Sequence, residues 1–241
     1  MDKIKELVTL IKTSKKTVFF GGAGVSTESG LKDFRSKDGL YHEKYSYPPE
    51  EMLSHHFFLE NTKEFYKFYR DKLNSLNYKP NITHIILAKL EEKGLLSSII
   101  TQNIDGFHQM AGSKNVLELH GSVWRNYCMK CHKSYEAETV FSSTDVPKCS
   151  CGGIIKPEVV LYEESLNQET LQQAIKEIST ADLLIIGGTS LNVYPAAGLI
   201  QYFRGKNIVL INKEKTSYDK MCNLVFYDNI GKIMKKIEQN L

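Results

Sequence analysis

The clearest indication of the fold is the stretch Thr17-Val18-Phe19-Phe20-Gly21-Gly22-Ala23-Gly24-Val25-Ser26-Thr27. An apolar run that leads into glycines predicts a buried strand followed by a tight turn. In such a turn, backbone N–H groups can approach a pyrophosphate. However, Thr27 replaces the third glycine of the usual dinucleotide fingerprint, and no acidic residue ends a second strand about 20 residues further on. This loop alone therefore leaves nucleotide binding and a plain strand-to-helix turn equally open.

On either side of this stretch, apolar runs alternate with segments of helical periodicity. The patterns predict strands at 17–20, 97–101, 116–119, 159–162, 181–186, 207–211 and 225–227. They predict helices at 2–13, 58–73, 81–93, 171–178, 195–203 and 230–241. Continuous apolar strands that alternate with helices indicate an α/β, Rossmann-like parallel sheet with helices on both faces. Ligands of such sheets bind outside the carboxyl ends of the strands.

The cysteines indicate a second, smaller unit. Four of the five cluster in a polar stretch, at Cys128, Cys131, Cys149 and Cys151. The odd total, the tight pairs and the lack of an export signal argue against a disulfide framework. Four thiolates at this spacing suit one tetrahedral zinc ion, which is structural because no coordination position stays open. We expect this set of ligands rather than a contribution from the adjacent His132, and Cys222 is a small core residue.

Polar residues follow several of the predicted strands. Gln102, Asn103 and Asp105 follow one strand, Gly188-Thr189-Ser190 follows another, and Asn212 ends a third. Amide and hydroxyl groups at carboxyl strand ends can hydrogen-bond a ligand. The alternative is that these segments are capping loops and structural turns.

Two further candidates are ambiguous by themselves. In Asp33-Phe34-Arg35, the arginine can hold a phosphate or a ribose and Phe34 can cover a flat ring. The alternative is a surface ion pair beside a core phenylalanine. A neutral His120 can act as a general base near pH 7, although a lone histidine is more often an ordinary half-buried residue.

Composition excludes several classes of protein. Of 241 residues, 41% are hydrophobic and 24% are charged, and the net charge is +3, so the chain is globular rather than disordered and is not strongly basic. No run approaches the ~18 apolar residues of a membrane helix. Residues 1–7 mix charges of both signs and contain no signal-peptide core. We therefore predict a cytoplasmic protein without nucleic-acid or membrane partners.

Taken together and in this order, the segments resemble the sirtuin family of NAD-dependent protein deacylases, of the bacterial type with a single catalytic core. The resemblance rests on Gly22 to Ser26 with Asp33-Phe34-Arg35, Thr101 to Asp105, His120-Gly121, the four cysteines, Gly188 to Leu191 and Ile211-Asn212. The chain departs from the family pattern at Lys32, which replaces a proline, at Phe107, which replaces a leucine, and at Glu163, which replaces a glycine.

The resemblance assigns roles to individual residues. It implies that NAD contacts Gly22, Ala23, Gly24, Thr27, Phe34 and Arg35 through its phosphates and ribose. It implies contacts of the nicotinamide side with Gln102, Asn103, Ile104 and Asp105. The adenosine half is assigned to Gly188, Thr189, Ser190, Asn212 and Asp228. The acyl-lysine peptide would pair with the strand that contains Val159, Val160 and Tyr162.

The implied reaction is NAD-dependent protein lysine deacetylation or deacylation. It releases nicotinamide and 2′-O-acyl-ADP-ribose, and His120 is the general base that takes a proton from a ribose hydroxyl. Family members that prefer dicarboxylic acyl groups resemble one another in having an arginine at the position of Tyr69. Because this chain has tyrosine there, we expect acetyl or apolar acyl groups. The alternatives are protein ADP-ribosylation in the same pocket and a non-enzymatic zinc-ribbon binding module.

The resemblance also implies a division into two domains. Residues 1–35, 79–126 and 156–241 would form the Rossmann-like NAD-binding domain. A helical insertion at 36–78 and the zinc module at 127–155 would form the small domain. We expect NAD and acyl-lysine in the cleft between them, and a monomeric protein.

Overall fold

The apolar runs form the strands of two sheets in the computed structural model, which describes residues 2–33, 39, 41 and 45–241. The strands are β1 (Thr17–Gly21), β2 (Ser98–Thr101), β3 (Val116–Glu118), β4 (Gly121–Cys128), β5 (Ser134–Glu136), β6 (Ile155–Val159), β7 (Leu183–Gly187), β8 (Asn207–Asn212) and β9 (Leu224–Tyr227). The helices are α1 (Lys3–Thr13), α2 (Pro49–Met52), α3 (His55–Glu60), α4 (Thr62–Lys72), α5 (Ile82–Glu92), α6 (Phe107–Met110), α7 (Ala137–Phe141), α8 (Gln168–Thr180) and α9 (Ile230–Asn240).

The larger sheet is parallel and has the strand order β3-β2-β1-β7-β8-β9. The order reverses between β1 and β7, where Gly21 pairs with Gly187. In open α/β sheets the ligand crevice lies at this reversal, outside the carboxyl ends of the strands. The predicted fold class is confirmed, and the topology places the crevice beside the two glycine turns.

Alternate side chains of each central strand face opposite layers of helices. Phe19 packs with residues of α1, α5 and α9, whereas Phe20 packs with residues of α8 and of the 3₁₀ segment Ala196–Tyr202. Both phenylalanines are fully buried. Burial on both faces explains why these strands are continuous apolar runs.

The smaller sheet is antiparallel, with the order β5-β4-β6. One hydrophobic cluster joins it to α3 and α4, because Phe58 and Tyr66 pack with Val140 and Ile155. This sheet extends from Gly121 to Val159, beyond both ends of the predicted module at 127–155. The predicted domain boundaries themselves stay predictions.

Three predicted elements differ in the structure. The helix expected at 58–73 is two helices, α3 and α4, which meet at Asn61. The strand expected at 159–162 lies earlier, because β6 is defined by its pairing with β4, and a strand boundary depends on the partner strand. The helix expected at 195–203 is the 3₁₀ segment, because a short apolar pattern does not distinguish a period of 3.6 from one of 3.0. In the described part of the chain, no helix has the length and apolar character that crossing a bilayer requires.

Candidate active site

A cleft of about 610 Å³ lies at the carboxyl ends of β1 and β7, where the sheet order reverses. All the predicted cofactor-side residues that the structure describes line it: Gly22, Ala23, Gly24, Thr27, Gln102, Asn103, Ile104, Asp105, His120, Gly188, Thr189, Ser190, Asn212 and Asp228. The predicted peptide-side residues Val159, Val160 and Tyr162 line the same cleft. Phe34 and Arg35 lie outside the described residues. The fold therefore brings together segments that are distant in the sequence.

Two glycine turns touch at the floor of the cleft. The backbone N–H of Gly24 donates to the carbonyl of Gly188 over 2.8 Å. Gly188 has φ +59°, and a Cβ there would lie 2.4 Å from the backbone nitrogen of Val25. Only glycine fits this contact without a shift of the backbone.

The loop after β1 continues as two 3₁₀ turns, Ala23–Val25 and Thr27–Ser29, rather than as the helix that the sequence suggested. Ala23 begins the first turn, and its backbone N–H has no partner among the described residues. An unpaired N–H at a glycine-rich turn is available to a phosphate oxygen. This part of the cleft therefore fits the pyrophosphate of a dinucleotide.

A buried network of side chains organises the other half of the cleft. The Ser26 hydroxyl donates to Asp105 Oδ2 over 2.6 Å and accepts from Asn103 Nδ2 over 3.0 Å. His84 Nε2 lies 3.5 Å from the same hydroxyl, while its Nδ1 accepts the backbone N–H of Asn81. Because Nδ1 accepts, the proton of neutral His84 is on Nε2 and points to Ser26. The network holds Asn103 and Asp105 in one orientation.

Burial sets the protonation of this network. It lowers the pKa of His84 to about 4, so this histidine is neutral near pH 7. Burial also raises the pKa of Asp105 above its ordinary value, against the opposing hydrogen bonds from Ser26 and from the backbone N–H of Phe107. The network thus presents a desolvated carboxyl and an amide to the cleft, with the neutral imidazole of His84 buried behind them. A carboxyl and an amide side by side can bind a polar, uncharged amide group.

The far end of the cleft is built on β2, β7 and β8. Gln102 Nε2 donates to Thr189 Oγ1 over 3.1 Å and joins two of the predicted segments. Asn212 ends β8 and donates to the carbonyl of Glu214. Asp228 pairs with Lys232 at 2.7 Å, and this contact contributes most to lowering the pKa of Asp228. Thus Gln102 and Thr189 hold each other in place, whereas the carboxylate of Asp228 is already paired with Lys232 of α9.

His120 is half-buried and is held in one tautomer. Its Nδ1 lies 2.8 Å from the carbonyl oxygen of Gln102. A carbonyl only accepts, so Nδ1 carries the proton. Nε2 has no hydrogen-bond partner among the described residues and keeps its lone pair. Burial lowers the pKa of His120 below its ordinary value of 6.5, and the bond to Gln102 opposes this shift. The residue is therefore a neutral base near pH 7.

The backbone on either side of His120 is fixed by residues 158–160, which include the start of the peptide-side segment, the name used here for residues 159–162. The Val160 N–H donates to the His120 carbonyl over 2.9 Å. Gly121 follows with φ +75°, and a Cβ there would lie 1.9 Å from the carbonyl oxygen of Glu158. A side chain at residue 121 would push β6 away, which explains why glycine follows the histidine.

The four clustered cysteines form a separate site outside the cleft. Their sulfur atoms all lie within 4.8 Å of one another. The pairs Cys128–Cys151 and Cys131–Cys149 are 3.5 and 3.6 Å apart, too far for a disulfide. A tetrahedron with Zn–S bonds of about 2.3 Å has sulfur–sulfur edges of ~3.8 Å. The cluster is therefore compatible with one structural zinc ion.

Several residues of the site are not predicted from the sequence. Ser26 lies within the quoted glycine loop, and its place in that motif was a usable signal. Nothing in the sequence marked His84 as part of the site, because a lone histidine on an apolar helix is usually a core residue. No signal marked His55 and His56 either, which contact Glu164 and Glu163.

The fold and the site together define a class of protein: a Rossmann-type dinucleotide-binding protein with a metal-binding module beside its cleft. Comparison with known proteins specifies the class further. The model of the Sir2 family matches residues 22–195. This chain is 60% identical to a protein of Clostridium perfringens named NAD-dependent protein deacetylase, and the match covers 98% of each of the two chains. The chain belongs to the Sir2 family.

Solved structures agree with this assignment. A Sir2 structure with a p53 peptide and NAD⁺ has a TM-score of 0.88 and 40% identity, over 98% of this chain and 97% of that chain. Another contains a deacetylated p53 peptide and 3′-O-acetyl-ADP-ribose, with a TM-score of 0.92 and 40% identity over the same shares. The family resemblance in the sequence is therefore confirmed.

Proposed function

We propose that this protein is an NAD-dependent protein lysine deacetylase with His120 as its general base. One observation carries the proposal: His120 Nε2, which has no partner in the described part of the chain, belongs to a cleft that the two glycine turns line on one side and the peptide-side segment on the other. Family membership and the names of the relatives support it. The reaction would release nicotinamide and 2′-O-acyl-ADP-ribose.

NAD supplies an electrophilic ribose carbon from which nicotinamide can leave. The residues of this chain have the complementary tasks of binding, orientation and proton transfer. The turns at Gly22–Thr27 and Gly188–Ser190 would hold the phosphates and the adenosine half. Asn103, Ile104 and Asp105 would orient the nicotinamide amide, and His120 Nε2 would accept a proton from a ribose hydroxyl.

An acetyl-lysine peptide tests the proposal directly. The purified protein is incubated with the peptide, with and without NAD, and the products are identified by mass spectrometry. We expect the peptide to lose 42 Da, about the mass of one acetyl group, only with NAD, together with release of nicotinamide and O-acetyl-ADP-ribose. An unchanged peptide would contradict the proposal. Radiolabelled ADP-ribose on protein would instead favour ADP-ribosylation in the same pocket.

The pH dependence of turnover is a second test. A general base must be unprotonated, and a lowered pKa means that His120 is protonated only at lower pH. We therefore expect kcat/KM to be retained from about pH 8 down to the ordinary histidine value of 6.5 and to fall only below it. His84, with a pKa of about 4, does not titrate in this window. A midpoint of the acid limb above pH 6.5 would contradict this assignment.

The choice of acyl group follows from α4. Tyr66 donates its hydroxyl to the carbonyl of Ile155 over 2.5 Å, and Tyr69 is fully buried in the same cluster. Arg70 donates to the carbonyl of Asp145 and does not line the cleft. Lys72, at the end of α4, does line the cleft, but its ammonium already lies 3.0 Å from Asp71 Oδ2. A succinyl carboxylate would have to compete with Asp71 for this cation, and a charge left unpaired is costly to desolvate.

We therefore expect kcat/KM to be at least about tenfold higher for an acetyl-lysine peptide than for the matched succinyl-lysine peptide. The two peptides are compared in one sequence context by chromatography of the products. Efficient desuccinylation with poor deacetylation would show that α4 does not set the choice.

The metal module, location and assembly complete the proposal. One zinc ion held by Cys128, Cys131, Cys149 and Cys151 would maintain the small domain. A cytoplasmic location suits four reduced thiols, because the cytoplasm keeps cysteines available to a metal. A monomer is sufficient, since the cleft is lined by segments of a single chain. Its protein partner is the acyl-lysine substrate.

A further inference from the structure

Glu163 has a backbone conformation that is unusual for its side chain. Its φ is +75°, in the left-handed region that favours glycine. It follows the peptide-side segment and lines the cleft. A residue with a side chain keeps such a conformation when its surroundings hold it there. The contacts of Glu163 identify what holds it.

The Glu163 carboxylate is bound to the first turn of α3. Oε2 accepts the backbone N–H of His56 over 3.1 Å, and Oε1 lies 2.7 Å from His56 Nδ1. These bonds lower the pKa of Glu163 below its ordinary value. An exposed carboxylate–histidine pair alone contributes little. The bond to the backbone N–H adds a second contact with the same residue, so the carboxylate is held at both of its oxygens.

Glu164 makes a second tie to the same turn. It accepts from His55 Nδ1 over 2.8 Å and from the Leu161 N–H over 2.9 Å. Its carboxylate also lies 3.1 Å from the ammonium of Lys156, which is only 5% exposed. A buried ammonium needs such a partner. Adjacent carboxylates thus bind adjacent histidines.

Backbone bonds show which edge of the segment stays open. The Tyr162 N–H donates to the Leu53 carbonyl, and the His55 N–H donates to the Tyr162 carbonyl, both over 3.0 Å. The N–H and C=O of Glu163 have no partner among the described residues. Unpaired backbone groups at the end of an extended segment are those that an added peptide strand uses. Their direction depends on the backbone conformation of Glu163.

We propose that Glu163 is a positioning residue that sets the affinity for the acyl-lysine peptide. Its bonds to His56, here called the Glu163–His56 latch, hold residue 163 in the left-handed conformation and so orient its free backbone groups. This inference rests on the proposed deacetylase function. The latch acts on peptide binding and leaves the two glycine turns and His120 unchanged.

The test compares steady-state constants of matched variants with an acetyl-lysine peptide. We expect E163A to raise the peptide KM roughly three- to tenfold, the range for loss of one capping side chain. The kcat and the KM for NAD should stay within about twofold, because neither depends on this edge. E163Q keeps an oxygen for the His56 N–H, so its peptide KM should stay within about twofold of wild type. E158A removes a nearby exposed carboxylate outside the cleft and is the control.

A double-mutant cycle tests whether Glu163 acts through His56. H56A should raise the peptide KM in the wild-type background and have no further effect in E163A. Equal peptide KM values for wild type and E163A, or additive effects of E163A and H56A, would overturn the latch. If wild type itself leaves the peptide unchanged, the proposed function fails instead. Anisotropy of a labelled acetyl-lysine peptide then decides the latch separately, since E163A should weaken its binding by the same factor.

Discussion

Replacing His120 by Asn should lower deacetylation by roughly 10²- to 10⁴-fold, the usual contribution of a general base. The Asn side chain can still donate to the Gln102 carbonyl, which now accepts from His120 Nδ1. It offers no nitrogen lone pair that can accept a proton. The substitution therefore removes the base and retains the hydrogen bond that positions it. The measurement is kcat with saturating acetyl-lysine peptide and NAD.

His132 provides a matched control for this substitution. It lies outside the cleft and is exposed, with φ +59°. Asparagine tolerates the left-handed conformation, so His132→Asn should fold and retain near wild-type kcat. The stabilisation of both variants by NAD in thermal unfolding should match that of wild type. If His120→Asn retained more than about a tenth of the wild-type kcat, another group would be the base.

Removing one zinc ligand should have the largest effect on stability. We expect Cys149→Ser to lose the metal and to lower the free energy of unfolding by at least about 5 kcal/mol, since structural zinc contributes ~10–16 kcal/mol in small modules. At this chain length the loss corresponds to at least about 10 °C in Tm. The effect should extend beyond the module, because Val140 and Ile155 share one hydrophobic cluster with Phe58 and Tyr66.

The measurements are the zinc content per chain and thermal unfolding followed by circular dichroism. Cys222→Ser is the matched control, because Cys222 is half-buried and donates to the Tyr218 carbonyl, a bond that serine can keep. It should retain one zinc ion and the wild-type Tm. The zinc assignment would be wrong if Cys149→Ser retained one zinc ion per chain and the wild-type Tm.

The sheet could be predicted from particular runs of residues. Residues 18–21 and 183–187 contain no polar side chain because helices cover both faces of the sheet, and burial on both faces leaves a strong signal. The peptide-side segment was harder. Residues 160–162 look like a strand, but they are held by isolated hydrogen bonds to His120, Leu53 and His55 and not by a continuous ladder. Periodicity reports burial and does not report hydrogen-bond partners.

The candidate site divides in the same way. The glycine turns and the polar strand ends were visible because each is a short, local motif. The Ser26–His84 contact was not, since the two residues are separated by 58 positions and a histidine on a helix carries no sign of its partner. The Glu163–His56 contact joins positions 107 residues apart. Its only trace in the sequence was an acidic residue where the family pattern has glycine.

Short sequence motifs were enough to identify the chemical groups and their local geometry: apolar strands, glycines that let backbones approach, and four thiolates at metal-binding spacing. The family resemblance pointed to His120 as the base, but the tautomer of this histidine could be assigned only from the tertiary structure. The sequence offers seven histidines, and only folding places the Gln102 carbonyl against Nδ1 of His120, which leaves the lone pair on its Nε2. The physical reason is that tautomer, pKa and orientation depend on burial and on partners that arrive from distant strands.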